Sequence, residues 1–198
     1  GLAEKHGKPI DIHLHEPGEL GLFTMGMIVE RTKAQGLSGK VVVSHAFCLG
    51  DIPDRERDAL LVQMAELGVA IATTAPASRP VPLVAPCRAA GVTIFAGNDG
   101  IRDTWTPYGS PDMLERAMLV GLRNNFRRDD EIAVAFDCIS SAGAAGCGFA
   151  DHGLAPGARA DLVLVDARSL AEAVVARPAR KLVVSGGRVV ARDGALLV

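Results

Sequence analysis

The sequence predicts an α/β fold built on a parallel sheet, with a small antiparallel β segment at its C-terminal end. Three observations predict it. Residues 9–127 alternate a strand-like run with a helix-like run four times, and repeated βα units imply a parallel sheet with helical covering. Those units carry neither G-x-x-x-x-G-K-[ST] nor G-x-G-x-x-G, the glycine patterns that cradle phosphates in nucleotide-binding folds. Four such units are half of a (β/α)8 TIM-type barrel or one open doubly wound sheet. Residues 181–192 then read as two short β-branched runs around Gly186-Gly187, a two-residue hairpin turn.

Each element has its own signal. Ile10-Asp11-Ile12-His13-Leu14-His15 alternates with period two, as a half-buried strand does. Residues 18–36 place Leu20, Leu22, Met25, Met27, Ile28 and Val29 before a polar end, a helix closed by Gly36. Residues 40–46 (Lys-Val-Val-Val-Ser-His-Ala) are a buried strand. Residues 54–67 interleave charges with Leu60, Leu61, Met64 and Leu67 at helical spacing, and Gly68 ends the helix. A third strand spans 69–73, a weak helix 82–90 and a fourth strand 92–96. Residues 112–127 form an amphipathic helix with Met113, Leu114, Ala117, Met118 and Leu119 on its apolar face. Beyond residue 130 the character changes: an Ala-rich helical stretch to about 150 ends Gly-rich, and within Gly153 to Asp166 a turn leads into a short strand. The expected organisation is residues 1–150 as the barrel portion and 151–198 as the small β unit. The methionines sit at helical spacing and read as core.

Composition excludes several classes. With 48% hydrophobic residues and a net charge of −2, the chain can bury a core and is not disordered. Twenty-one basic residues against 23 acidic ones give no stripe for nucleic acid or an anionic membrane. Aromatics at 4% are too few for a base-stacking platform. No run of 18 apolar residues predicts a membrane span. Four separated cysteines (Cys48, Cys87, Cys138, Cys147) without C-x-x-C read as buried reduced thiols of a cytoplasmic protein. Residue 1 is Gly and no signal peptide is visible, so the chain is expected to be the later part of a longer protein.

The polar residues gather at the strand ends. Asp11, His13 and His15 share one face of the first strand, and Glu16 follows. His45 ends the second strand and Asp99 follows the fourth. Parallel α/β folds place their sites at the C-terminal ends of the strands. Imidazoles with a carboxylate suit Zn or Fe, which lower the pKa of water and provide hydroxide near neutral pH. Each residue alone has a plainer reading: Glu16 as the cap of the following helix, Asp99 as a turn former in Asn98-Asp99-Gly100. His15 shares the face of His13 and reads as a metal-proximal or substrate-facing residue. His6 and His152 lie outside the strands and read as surface residues. The succession at strand ends is what points to a site.

Ile10 to Glu16, Val43-Ser44-His45-Ala46, and Phe95 to Gly109 together resemble the amidohydrolase superfamily, specifically its cytosine deaminase-type branch. The segment from Gly153 to Asp166 with Gly187 to Val190 is similar to that family's closing β-sandwich. The resemblance implies a (β/α)8 barrel, of which this chain supplies strands five to eight, with one divalent metal ion, Zn or Fe. It implies that His13 is a metal ligand. Glu16 matches the acid/base that protonates a ring nitrogen and relays a proton to the leaving amine. His45 matches the histidine that hydrogen-bonds the attacking water, and Asp99 is both ligand and base. Trp105 matches an aromatic lining the substrate pocket, its alternative being ordinary packing. The implied reaction is hydrolytic deamination of an amino-substituted nitrogen heterocycle, cytosine-like, isocytosine-like or aminotriazine-like. Asn98 and Gly100 stand where cytosine deaminases proper carry larger polar residues, which extends the expectation to alkylamino substituents. The family's first-strand H-x-H pair has no candidate before Ile10; its place is in a missing N-terminal half or is made good in a homo-oligomer. The competing expectations are a non-catalytic half-barrel acting as an interaction module, and a cyclic-amide hydrolase.

Overall fold

The structure is a computed structural model that describes residues 1–197. A short helix, α1 (Leu2–His6), precedes strand β1 (Ile10–Leu14). Helix α2 (Gly18–Ala34), strand β2 (Val41–His45), a 3-10 turn (Phe47–Gly50), helix α3 (Asp54–Glu66) and strand β3 (Ala70–Thr73) follow. Then come α4 (Val84–Ala89), β4 (Ile94–Ala96), α5 (Met113–Arg123), α6 (Asp129–Cys138) and α7 (Ser141–Cys147). The C-terminal part holds β5 (Leu162–Val165), α8 (Leu170–Ala176), β6 (Arg180–Ser185), β7 (Arg188–Arg192) and β8 (Ala195–Leu196).

The first sheet is parallel in the order β1-β2-β3-β4, each strand beside its sequence neighbour. Sequential parallel pairing through helical crossovers is the arrangement of a partial (β/α) barrel. One face is covered: Leu14, Val43, Ile71 and Ile94 from the strands join Met25 and Val29 of α2, Leu61 and Met64 of α3 and Val84 of α4 in one core cluster. The opposite face carries Asp11, His13 and Ser44, and the Ser44 hydroxyl donates to Asp11 Oδ1 across the sheet at 2.8 Å. The second sheet is antiparallel, in the order β5-β6-β7-β8. Its β6–β7 turn has φ 54° at Gly186 and 80° at Gly187, the two positive values a type I′ hairpin turn demands and glycine permits.

The two sheets are tied together. Ala173 and Val174 of α8 pack on Leu114 and Ala117 of α5 in a second core cluster. Asp112, whose carboxylate accepts from Leu114 N at 2.9 Å as the cap of α5, also ion-pairs with Arg180 of β6.

The sequence placed β1 to β7 and α2 to α5 within a few residues of their observed ends and left out α1, the 3-10 turn, α8 and β8. The Ala-rich stretch is two helices, α6 and α7, broken at Ile139–Ser140. Gly146 of α7 lies where a Cβ would enter the Phe95 ring, so this glycine serves close packing of α7 on β4. Met27 is exposed and not core: with Leu20 and Phe23 it forms an exposed apolar stripe on α2. Three cysteines are buried as expected, but Cys147 is exposed. Among the described residues no helix is long and apolar enough to cross a membrane.

Candidate metal and acid–base site

Strand β1 places Asp11 and His13 on the open face of the sheet by simple alternation. The same rule would send His45 the other way. The register pairs Leu14 with His45 and His13 with Ser44, so His45 belongs by alternation to the core face of Val41 and Val43. The backbone prevents this: φ is 74° at His45 and 49° at Ala46. Two successive non-glycine residues in the left-handed region are a costly feature that surrounding structure must enforce. Here they turn the His45 ring to His13, with the two Nε2 atoms 2.8 Å apart.

His15 closes the group. Ring centroids are 4.8 Å apart for His13 and His15, 4.4 Å for His13 and His45, and 4.3 Å for His15 and His45. One ligand nitrogen from each lies within 4.8 Å of the others. Asp99, at φ 62° in the turn after β4, brings Oδ2 to 3.9 Å from His45 Nε2. Phe47 backs the rings, its centroid 5.1 Å from His45 and 5.4 Å from His15, and the Arg79 guanidinium sits 4.9 Å from the Phe47 centroid.

His45 is only 3% exposed. Its pKa is pushed down from 6.5 to about 4, first by burial and then by the fields of His15 and His13, against a smaller upward pull from Asp99. The ring is therefore neutral at pH 7. In the Nε2–Nε2 contact one histidine must donate and the other accept, a choice of tautomer. His45 Nδ1 is buried without a hydrogen-bond partner.

Glu16 follows His15 and is half-buried. Among the described residues its carboxylate makes no hydrogen bond to the three imidazoles; it lies close enough to Cys48 to help raise that thiol. The turn between β1 and α2 is tight, because a Cβ on Gly21 would enter the Glu16 carbonyl oxygen and Cys48. Trp105 is 86% exposed on the loop after β4. That loop is braced by Asp103, whose Oδ1 accepts from the Trp105 and Thr106 amides at 2.9 Å each.

The structure thus brings His13, His15 and His45 into one cluster and sets Asp99 beside His45. Three imidazoles with a carboxylate beside them, and an orphaned buried nitrogen among them, are a donor set compatible with a metal ion. The part sequence reasoning could not see is the left-handed backbone at His45 and Asp99, because neither position carries the glycine that marks such conformations.

The amidohydrolase family model matches residues 1–191. The N-isopropylammelide isopropyl amidohydrolase of Pseudomonas sp. (strain ADP) is 28% identical over 193 residues, which are 97% of this chain and 48% of that protein. The crystal structure of N-isopropylammelide isopropylaminohydrolase from Burkholderia multivorans ATCC 17616 is 64% identical with a TM-score of 0.98, covering 100% of this chain and 50% of that one. That of 5-methylcytosine deaminase from Klebsiella pneumoniae liganded with 5-fluorocytosine has a TM-score of 0.84 at 20% identity, covering 100% and 51%, and speaks to the fold. The chain spans about half the length of the relatives it matches. Histidines and an aspartate at strand ends of a parallel sheet, and a family match over nearly every residue, agree: the chain belongs to the amidohydrolase family.

Proposed function

We propose that the protein hydrolyses the bond between a nitrogen heterocycle and an exocyclic amine, with an alkylamino-substituted hydroxytriazine as the best-supported substrate. The observation that carries this reading is the convergence of His13, His15, His45 and Asp99. The 64% identity to an N-isopropylammelide isopropylaminohydrolase supports the choice of ring. Water adds at the ring carbon, the carbon–nitrogen bond breaks, and the proton removed from water ends on the departing amine.

His13 and Asp99 would hold one divalent cation, Zn or Fe. Such a cation lowers the pKa of water and supplies a nucleophile at neutral pH. The protein's own groups then handle protons. Asp99 accepts the proton of the attacking water. His45, neutral at pH 7, offers a hydrogen bond that orients that water without adding charge. Glu16 protonates a ring nitrogen and passes a proton to the leaving amine. His15 buttresses the pair by packing against both His13 and His45. Trp105, on the loop after β4, would meet the substrate. The chemistry needs no nucleic acid or membrane partner, and the buried thiols suit a reducing, cytoplasmic location.

The site also needs closure. β1 and β4 are the edges of the parallel sheet, and unpaired edges are a liability. We infer that further strands pair with both, from another segment of the polypeptide or from a second copy. Under that reading residues 1–150 are the second part of a barrel, and 151–198 are part of a β-sandwich.

The test is amine release by the full-length protein from N-alkylamino hydroxytriazines and aminopyrimidines. His13→Ala and Asp99→Ala should each abolish turnover and sharply weaken the hold on the metal. Retention of both properties in either variant would overturn the assignment.

A further inference from the structure

Arg116 is a cation on the wrong face of its helix. It lies on α5 with Leu114, Ala117 and Val120, all buried, and is itself only 7% exposed. A buried guanidinium must have its hydrogen bonds met. Its partners are not on α5. Nη1 donates to the Thr74 carbonyl, in the loop after β3. Nη2 donates to the Asn98 carbonyl at 3.1 Å, and Nε to Asn98 Oδ1 at 3.2 Å. One side chain thus ties together the loops that leave β3 and β4.

The two carbonyls share a property. Each immediately precedes a non-glycine residue with positive φ: Ala75 at 46° after Thr74, and Asp99 at 62° after Asn98. A peptide unit is planar, so the direction of the Asn98 carbonyl fixes the plane whose other end is the Asp99 nitrogen. Holding that carbonyl fixes one of the two planes that define φ of Asp99, and so restrains the direction of the Asp99 side chain. Two other contacts stiffen the clamp: Asn98 Nδ2 donates to Met113 Sδ at 3.4 Å, and Gly97 N donates to the Thr73 carbonyl at 3.0 Å. The Arg116 charge also feels Asp99.

We propose that Arg116 is a positioning residue for Asp99: its guanidinium, clamped on the Thr74 and Asn98 carbonyls, keeps Asp99 in the left-handed turn that aims its carboxylate at His45. This rests on the reading of Asp99 as a metal ligand and proton acceptor. Arg116 touches neither metal nor substrate. Lysine cannot reproduce the fork that reaches two loops at once.

The experiment measures metal retention against a chelator in the full-length protein for wild type, Arg116→Met and Arg116→Lys, each also in an Asp99→Asn background. Partners that orient a metal ligand are worth about 10- to 100-fold in metal affinity. Arg116→Met should therefore lose metal about 10-fold or more faster than wild type, with Arg116→Lys between them. In the Asp99→Asn background the same change should add less than about two-fold, because the residue it acts through is gone. An unchanged rate, or an equal loss in both backgrounds, would overturn the proposal. If wild type holds no metal, the metal-site reading fails by itself. The clamp is then judged by deuterium exchange of the metal-free protein. Faster exchange in Arg116→Met confined to residues 73–76 and 97–101 supports it, and exchange identical to wild type overturns it.

Discussion

Acidifying the metal-free protein should expose the cost of burying His45. In the unfolded chain this imidazole titrates near its ordinary 6.5, and in the fold it stays neutral down to about 4. As pH falls from about 6.5 to about 4 the unfolded state takes up a proton that the native state refuses, so stability falls with pH over that window and levels off below it. At about 1.4 kcal/mol per pH unit, the interval corresponds to about 3 kcal/mol. That is a large part of a typical domain's stability. Burial contributes most to the interval; His15, His13 and Arg79 widen it and Asp99 narrows it. The assay is urea unfolding of chelator-treated protein at pH 7, 5.5 and 4, for wild type and His45→Asn. Carboxylates titrate in both proteins and cancel in the difference. Wild type should lose about 3 kcal/mol more than the variant between pH 7 and pH 4. Parallel pH profiles would refute the claim that His45 is held neutral by its surroundings.

Other predictions follow from single contacts. Gly21→Ala puts a methyl group into the Glu16 carbonyl and Cys48; it should destabilise by about 1–3 kcal/mol in urea unfolding. Asp112→Ala removes both the cap of α5 and the ion pair to Arg180, so a loss of about 1–3 kcal/mol is expected, with β6 exchanging its amides faster. Native protein at pH 8 should react with a thiol reagent at Cys147 alone, counted by mass. Burial pushes Cys48 up to about 11 and Cys87 up to about 12, and raises Cys138 as well, whereas Cys147 is exposed.

Much of the fold was legible because its signals are local. The period-two run Ile10–Leu14 and the β-branched Val41–Val43 fix two strands, and Leu60, Leu61 and Met64 fix the inner face of α3. Helix α8 escaped notice because it is seven residues long, yet it carried a signal. Ser169 and Glu172 have capping-box spacing, and the Ser169 hydroxyl does accept from the Glu172 amide at 3.1 Å. Met27 misled because helical spacing cannot tell a core-facing stripe from an apolar stripe left open on α2. At the site, His13, His45 and Asp99 could be found from residue type and strand order. How His45 meets His13 could not, since strict alternation points His45 into the core and only the positive φ at its own position reverses that. Arg116 was invisible for a similar reason. Two of its three hydrogen bonds go to backbone carbonyls 42 and 18 residues away, and a carbonyl has no signature in the sequence.

The function proposed for the His13–His15–His45–Asp99 cluster is metal-dependent removal of an amine from a heterocycle. The most direct test is alkylamine release from an N-alkylamino hydroxytriazine by the full-length protein, with metal content measured on the same sample before and after chelation. The expected result is one divalent ion per chain, release of one amine per ring, loss of both on chelation, and recovery with added Zn or Fe. Undiminished release from protein stripped of metal, or stoichiometric metal with no release from any amino-substituted triazine or pyrimidine, would contradict it.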